Sequence, residues 1–240
     1  GKLKEAEKYT RKSIEIKPDF ADAHYNLGNI LKDLGNLQEA ELSQRKAIKI
    51  KPDYAEAHYN LGNILKDLGN LQEAELSYRK AIRFQADYAE AYSNLGTILG
   101  DLGKIKELIH LSKSTIESKS INENYKLLAY LRLVIGHLLQ QDFSESISNF
   151  KKTKDLVNKG IVNTIKDESL RKNSSAYYKF LNSLFPLLEK KIYNLEKIPH
   201  LGESHCLSFA HQDLTIFSKV KKIQPVLIMG CKAWHFGNNG

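Results

Sequence analysis

Residues 21–54 read ADAHYNLGNILKDLGNLQEAELSQRKAIKIKPDY, and residues 55–88 read AEAHYNLGNILKDLGNLQEAELSYRKAIRFQADY. The second string repeats the first 34 residues later: Leu27 falls on Leu61, Gly28 on Gly62, Gly35 on Gly69 and Ala40 on Ala74. At about 100° per residue, His24, Leu27, Gly28 and Leu31 share one helical face. That face is predicted to pack on a second helix in the same unit. Gly28 has no side chain, so the partner helix can come close. Gly35 allows the left-handed turn between the two helices. Ala40 suits a tight crossing, where a larger group would overpack. Pro52 cannot continue a helix and ends the second one.

The period extends in both directions. Residues 1–20 form a half unit, with Gly1, Ala6 and Pro18 matching Gly35, Ala40 and Pro52. Residues 89–122 form a third, decaying copy that keeps Leu95, Gly96, Leu99 and Gly103 but has Leu108 where Ala40 stood. A helix–turn–helix period of 34 residues with these positions resembles the tetratricopeptide repeat. The resemblance implies a helical solenoid over residues 1–122. It also implies a protein-interaction scaffold, with the first helix of each unit lining a concave groove that takes an extended peptide.

The face of the first helix opposite its packed side carries Asp22, Asn26, Asn29 and Asp33, flanked by Tyr25 and Lys32. The next unit repeats it as Glu56, Asn60, Asn63 and Asp67, flanked by Tyr59 and Lys66. An asparagine amide offers two donors and an acceptor, so a row of them can hold a peptide backbone without reading its sequence. The row Asn26, Asn60, Asn94 resembles the asparagine ladder in the repeats of O-linked N-acetylglucosamine transferase. Candidate peptide-binding residues are therefore Tyr25, Asn26, Asn29, Lys32, Tyr59, Asn60, Asn63, Lys66 and Asn94. The alternative is that these are solvated polar residues copied by duplication. A clamp for a C-terminal carboxylate fits less well. It needs a base where Tyr25 and Tyr59 stand, and Asp33 and Asp67 would repel the anion.

Residues 123–197 read as a degenerate hairpin of the same kind followed by further helices. Residues 123–140 place Leu128, Leu131, Ile135 and Leu139 on one stripe, with Gly136 in the role of Gly28. A second helix begins at Asp142, with Ser146 in the place of Ala40 and Phe150 in that of Tyr78. This register makes the link two residues shorter than in the other units. Gly160 is a stop signal, and the polar residues 166–175 suggest a loop. Residues 176–191 read as a helix that Pro186 kinks or restarts.

The pattern changes at Ile198. Ile198–Leu201 and Val226–Met229 read as parallel strands of a βαβ unit, with a helix from about His205 between them. Gly202-Glu203-Ser204-His205 would lie at a strand's carboxyl end, where sites form in such units. This resembles the first block of the SGNH hydrolases. The resemblance implies Ser204 as nucleophile and Gly230 as oxyanion-hole donor, with an ester or acyl hydrolase as the alternative function. Glu203 replaces the usual Asp, and the Asn and Asp-x-x-His blocks do not follow before Gly240. The chain as given is thus not expected to be an enzyme. The alternative, read in preference, is a plain strand-to-helix turn in which Ser204 only caps the helix. His200, His205, Cys206, His211, Cys231 and His235 fit no standard zinc spacing, and neither metal nor cofactor is expected.

Composition bounds the rest. Hydrophobic residues make up 42% and charged residues 27%, as in globular proteins. No apolar run approaches the roughly 18 residues that suggest a membrane span. Two cysteines make no disulfide framework and suit a reducing, cytoplasmic setting. Gly1 aligns with Gly35 in mid-repeat, so the natural N-terminus is expected to be missing; the final α/β piece, residues 198–240, is likewise read as truncated. The net charge is +8, with 19 Lys+Arg and 18 Asp+Glu in residues 1–120 against 17 and 10 in residues 121–240. The later lysines are not interleaved with aromatics, so a solvated helical surface is read in preference to a nucleic-acid site. The expected fold class is mainly α: a solenoid, additional helices, then a short α/β piece.

Overall fold

The structure is a computed structural model that describes residues 1–166 and 168–189, with the backbone of two short strands further on. Its helices are α1 (Lys2–Ile16), α2 (Ala21–Asp33), α3 (Leu37–Ile50), α4 (Ala55–Asp67), α5 (Leu71–Phe84), α6 (Ala89–Asp101), α7 (Ile105–Glu117), α8 (Glu123–Leu139), α9 (Phe143–Asn158), α10 (Ile161–Thr164) and α11 (Glu168–Glu189). The chain forms two compact units, Gly1–Leu95 and Gly96–Gly240, and α6 begins in one and ends in the other. The described residues are mainly a helical solenoid of the expected repeat type.

In the first unit each 34-residue repeat is a pair of helices. Gly35 and Gly69 take the turn at φ +82°, which a side chain would oppose. Ala40 and Ala74 are fully buried at the helix crossings. A Cβ on Gly28 would meet the Gln44 amide at 2.5 Å, and one on Gly62 would meet the Tyr78 ring at 2.7 Å. The close approach read from the sequence is therefore real in both repeats. Leu27, Leu31 and Ile64 fill the interior beside Ala40. His24 and His58 are buried and donate from Nε2 to the carbonyls of Pro18 (2.8 Å) and Pro52 (2.9 Å). Each proline that ends a second helix is thereby tied to the next first helix. Arg11 reaches Glu39 and Arg45 reaches Glu73, both at 2.6 Å, stitching successive second helices along an exposed surface.

The second unit packs α8 against α7, α9 and α11, around Leu127, Leu131, Val134, Phe150, Tyr177 and Leu181. Its hairpin corrects one reading of the sequence. Gln141 takes the positive-φ turn (φ 62°) that Gly35 takes in the first repeat. The Asp142 amide donates to the His137 carbonyl (2.9 Å) as Asn36 donates to Leu31 (2.8 Å). That register keeps Ser146 in the place of Ala40 and Phe150 in that of Tyr78, but it puts Val134, not Gly136, in the place of Gly28. The link is of ordinary length. The extra residues lie in α8, which has 17 residues against 13 in α2. Gly136 instead makes room for Ile109 of α7. Ser146 is fully buried and donates to the Val134 carbonyl at 2.9 Å.

Two further expectations are revised. Gly160 does end the hairpin, at φ +77°. The polar stretch after it, however, is no loop beyond residue 167, because α11 starts at Glu168. Leu170, Ser174, Tyr177 and Leu181 are all buried and share one helical face. A small buried serine in that stripe disguised it as polar. The helix also continues through Pro186 to Glu189, so the proline does not restart it.

Farther along, Leu227–Met229 is a strand, within the segment Val226–Met229 expected to be one. It pairs antiparallel with Leu214–Ile216, Leu214 opposite Met229. Its expected partner Ile198–Leu201, and the candidate residues Ser204 and Gly230, lie outside the described residues. Among the described residues no helix is long and apolar enough to cross a membrane.

Candidate peptide-binding face

The nine candidate residues all lie in the first unit: Tyr25, Asn26, Asn29 and Lys32 on α2, Tyr59, Asn60, Asn63 and Lys66 on α4, and Asn94 on α6. Asn26 is exposed and the others are half-buried. The periodicity of the helices puts these positions on one side of α2, α4 and α6.

The asparagines are of two kinds, which the sequence did not distinguish. Asn60 Nδ2 donates to Asn29 Oδ1 at 2.8 Å, and Asn94 Nδ2 donates to Asn63 Oδ1 at 2.9 Å. Each accepting oxygen takes a second donor from its own repeat. Gln44 Nε2 reaches Asn29 Oδ1 at 2.8 Å, and the Tyr78 hydroxyl reaches Asn63 Oδ1 at 2.8 Å. Two donors fill the two lone pairs of an amide oxygen. The Asn29 and Asn63 oxygens are therefore joints between repeats and have nothing left for a peptide. Asn60 and Asn94 spend a donor on those joints but keep their own oxygens; among the described residues no donor reaches either. Each is thus an acceptor on a side chain already held in place.

Tyrosines from the links join this face. Tyr54 stacks on Tyr25 with ring centres 5.0 Å apart, and Tyr88 lies against Tyr59 at 4.8 Å. The Tyr54 hydroxyl donates to Asp22 Oδ1 at 2.9 Å. Burial, then the neighbouring Asp22 carboxylate, pushes the Tyr54 phenol well above its ordinary value. Burial does the same to Tyr88, helped by the charges around it. Both rings stay neutral donors at ordinary pH. Sequence reasoning missed Tyr54 and Tyr88, although their signal was present: an aromatic residue recurs every 34 positions at Phe20, Tyr54 and Tyr88.

Within the second unit the same kind of joint is made by different residues. By the register of the α8–α9 hairpin, Arg132 holds the place of Asn26 and Asn60. Thr97 holds the place of Asn29 and Asn63. Arg132 donates from its guanidinium to Thr97 Oγ1 at 2.8 Å. The guanidinium is buried and presses on Gly96. Burial pushes its pKa down, and the nearby Tyr177 and Asp101 oppose that shift. An arginine remains charged in such a setting. Among the described residues no group of three or more His, Cys, Asp or Glu side chains could hold a metal ion.

Comparison with known proteins agrees with the repeat fold. Residues 28–69 and 62–103 match a family profile described as TPR repeat, and residues 9–41 match one described as tetratricopeptide repeat. These residues are tetratricopeptide repeats. The crystal structure of MamA is 25% identical with a TM-score of 0.59, covering 66% of this chain and 90% of MamA. MamA 41-end from Desulfovibrio magneticus RS-1 is 19% identical with a TM-score of 0.56, covering 66% of this chain and 88% of its own. YrrB, described as a TPR protein with an unusual peptide-binding site, is 21% identical with a TM-score of 0.54, covering 72% of this chain and 84% of its own. The last two likenesses concern the fold alone. No curated protein sequence matches the chain significantly. None of these matches supports the SGNH resemblance read near Ser204.

Proposed function

We propose that this protein is an interaction scaffold, and that the face of α2, α4 and the start of α6 takes an extended peptide from a protein partner. Stacked helical repeats offer extended binding surfaces of this kind. One observation carries the reading: the Asn60 and Asn94 oxygens recur one repeat apart, on amides bonded to Asn29 and Asn63, with no donor to them among the described residues. A fixed acceptor loses little side-chain entropy when a peptide N–H reaches it. The flanking tyrosines add rigid aromatic surface on either side.

The test selects phage-displayed random dodecapeptides on the immobilised full chain and then measures Kd for the synthetic peptides. Wild type is compared with the Asn60→Ala, Asn94→Ala double variant. Two lost hydrogen bonds at about 0.5–1.5 kcal/mol each should weaken binding by about tenfold or more. Asn29→Ala leaves both oxygens but releases the Asn60 amide from its joint, so it should weaken binding less than the double variant. Failure to select any peptide, or equal binding by wild type and the double variant, would overturn the proposal.

A further inference from the structure

The two sides of the first unit differ in how their charges are satisfied. On the second helices five of the seven carboxylates have arginine partners, all but Glu5 and Glu15 of α1: Glu7 and Glu39 hold Arg11, Glu41 and Glu73 hold Arg45, and Glu75 holds Arg79. On the first helices the exposed carboxylates Asp33, Glu56 and Asp67 have no ion-pair partner among the described residues, and Asp22 is met only by the Tyr54 hydroxyl. Helices α2 and α4 together carry these four carboxylates against two lysines, Lys32 and Lys66. The candidate face therefore carries an excess of carboxylates, with Lys51 of the link standing over Tyr54, although residues 1–120 as a whole are close to neutral.

Aromatic rings stand within that negative surface. Asp22 and Glu56 both act on Tyr54, and Glu56 acts on Tyr88 as well. The chain itself supplies a sample of what such a ring accepts: the Lys51 ammonium lies 4.4 Å from the centre of the Tyr54 ring. A cation over a tyrosine is favoured by the ring's quadrupole, and a carboxylate beside it adds to the attraction.

We infer that the peptide taken by this face is basic, with lysine or arginine side chains set among the tyrosine pairs and the Asp22 and Glu56 carboxylates. The inference rests on the peptide-binding reading above and adds the chemistry of the ligand. It also implies a spacing. Packed helices lie about 8–10 Å apart, and a peptide in the polyproline II conformation advances about 3.1 Å per residue and returns every third side chain to the same side. One repeat thus corresponds to about three residues, so cations belong at every third position of the ligand.

The experiment uses the full chain and three labelled nonapeptides, built from Gly-Ser-Lys, Gly-Ser-Gln and Gly-Ser-Glu triplets, read by fluorescence anisotropy. The lysine peptide should bind most tightly and weaken as salt rises. The Asp22→Asn, Glu56→Gln double variant keeps an acceptor for Tyr54 but removes both charges. It should weaken the lysine peptide by about three- to tenfold, as for two exposed ion pairs, and leave the glutamine peptide unchanged. If the glutamine or glutamate peptide binds as well as the lysine peptide and depends on Asn60 and Asn94, the charge inference falls and the peptide reading stands. If no peptide binds, both fall. A fourth peptide with the same three lysines placed consecutively tests the spacing, and equal binding by it would overturn that part.

Discussion

The Asn60 amide donates to Asn29 Oδ1 across the boundary between two repeats, 31 residues apart in the chain and 2.8 Å apart in space. This bond separates a structural asparagine from one that has an oxygen to offer. Asn29→Ala removes the acceptor of the Asn60 amide and one of two acceptors of Gln44 Nε2, which keeps the Tyr25 carbonyl at 3.1 Å. On a half-buried face the cost should be at the low end of about 1–3 kcal/mol. In a double-mutant cycle with Asn60→Ala, urea denaturation should give a coupling of about 0.5–1.5 kcal/mol. Zero coupling would mean that the joint contributes nothing in solution.

The two near-identical repeats act as controls for each other at one position. Tyr78 sends its hydroxyl to Asn63, whereas its counterpart Gln44 sends Nε2 to Asn29 and the Tyr25 carbonyl and leaves Oε1 buried with no hydrogen-bond partner among the described residues. Gln44→Tyr removes that orphaned oxygen and supplies the donor used one repeat later. Gly28 leaves the same opening for a ring that Gly62 leaves for Tyr78. Stability should rise by about 1 kcal/mol or more, read as a higher urea midpoint with an unchanged slope. A fall would show that the first repeat cannot admit the ring.

How far the sequence could be read follows from these positions. The repeat was legible because glycine, alanine and proline stand where backbone geometry and close packing allow little else. In the α8–α9 hairpin the turn is made by Gln141, which does not advertise a positive φ, and Gly136 was mistaken for the marker. The face of α2 and α4 was legible from helical periodicity. Its division into joints and free oxygens was not, since that depends on which amide of one repeat reaches which amide of the next. The clue lay in two asparagines three residues apart in each of the two full copies, Asn26 with Asn29 and Asn60 with Asn63. Arg132 was hidden for the same reason as Gln141: only the corrected register aligns it with Asn60.

His58 gives a prediction in pH. Burial holds its imidazole below the ordinary histidine value, with Lys80 adding to the shift and the bond to the Pro52 carbonyl opposing it. The unfolded chain therefore takes up the proton first as pH falls, and protonation favours unfolding. The contribution of His58 is fully present above about pH 6.5 and is lost as pH drops below that value. The thermal midpoint should fall between about pH 7 and about pH 5, and His58→Asn should flatten that fall. An equal slope in wild type and variant would show that His58 is not the titrating group.

Arg132 and Gly96 make the strongest test of the second unit, because each explains the other. A Cβ added to Gly96 would run into the Arg132 guanidinium. Gly96→Ala must therefore push the arginine aside and strain its 2.8 Å bond to Thr97, at about 1–3 kcal/mol. Arg132→Ala removes that bond and the buried side chain together, leaving a void beside Gly96, at about 2–4 kcal/mol. With the guanidinium gone, the methyl group that Gly96→Ala introduces has no clash to make and fills part of the void. The double variant should then be more stable than the sum of the single losses implies, by about 1 kcal/mol or more. Strict additivity in urea denaturation would mean that Arg132 does not occupy the space beside Gly96. It would also remove the equivalence drawn between this joint and that of Asn60 with Asn29.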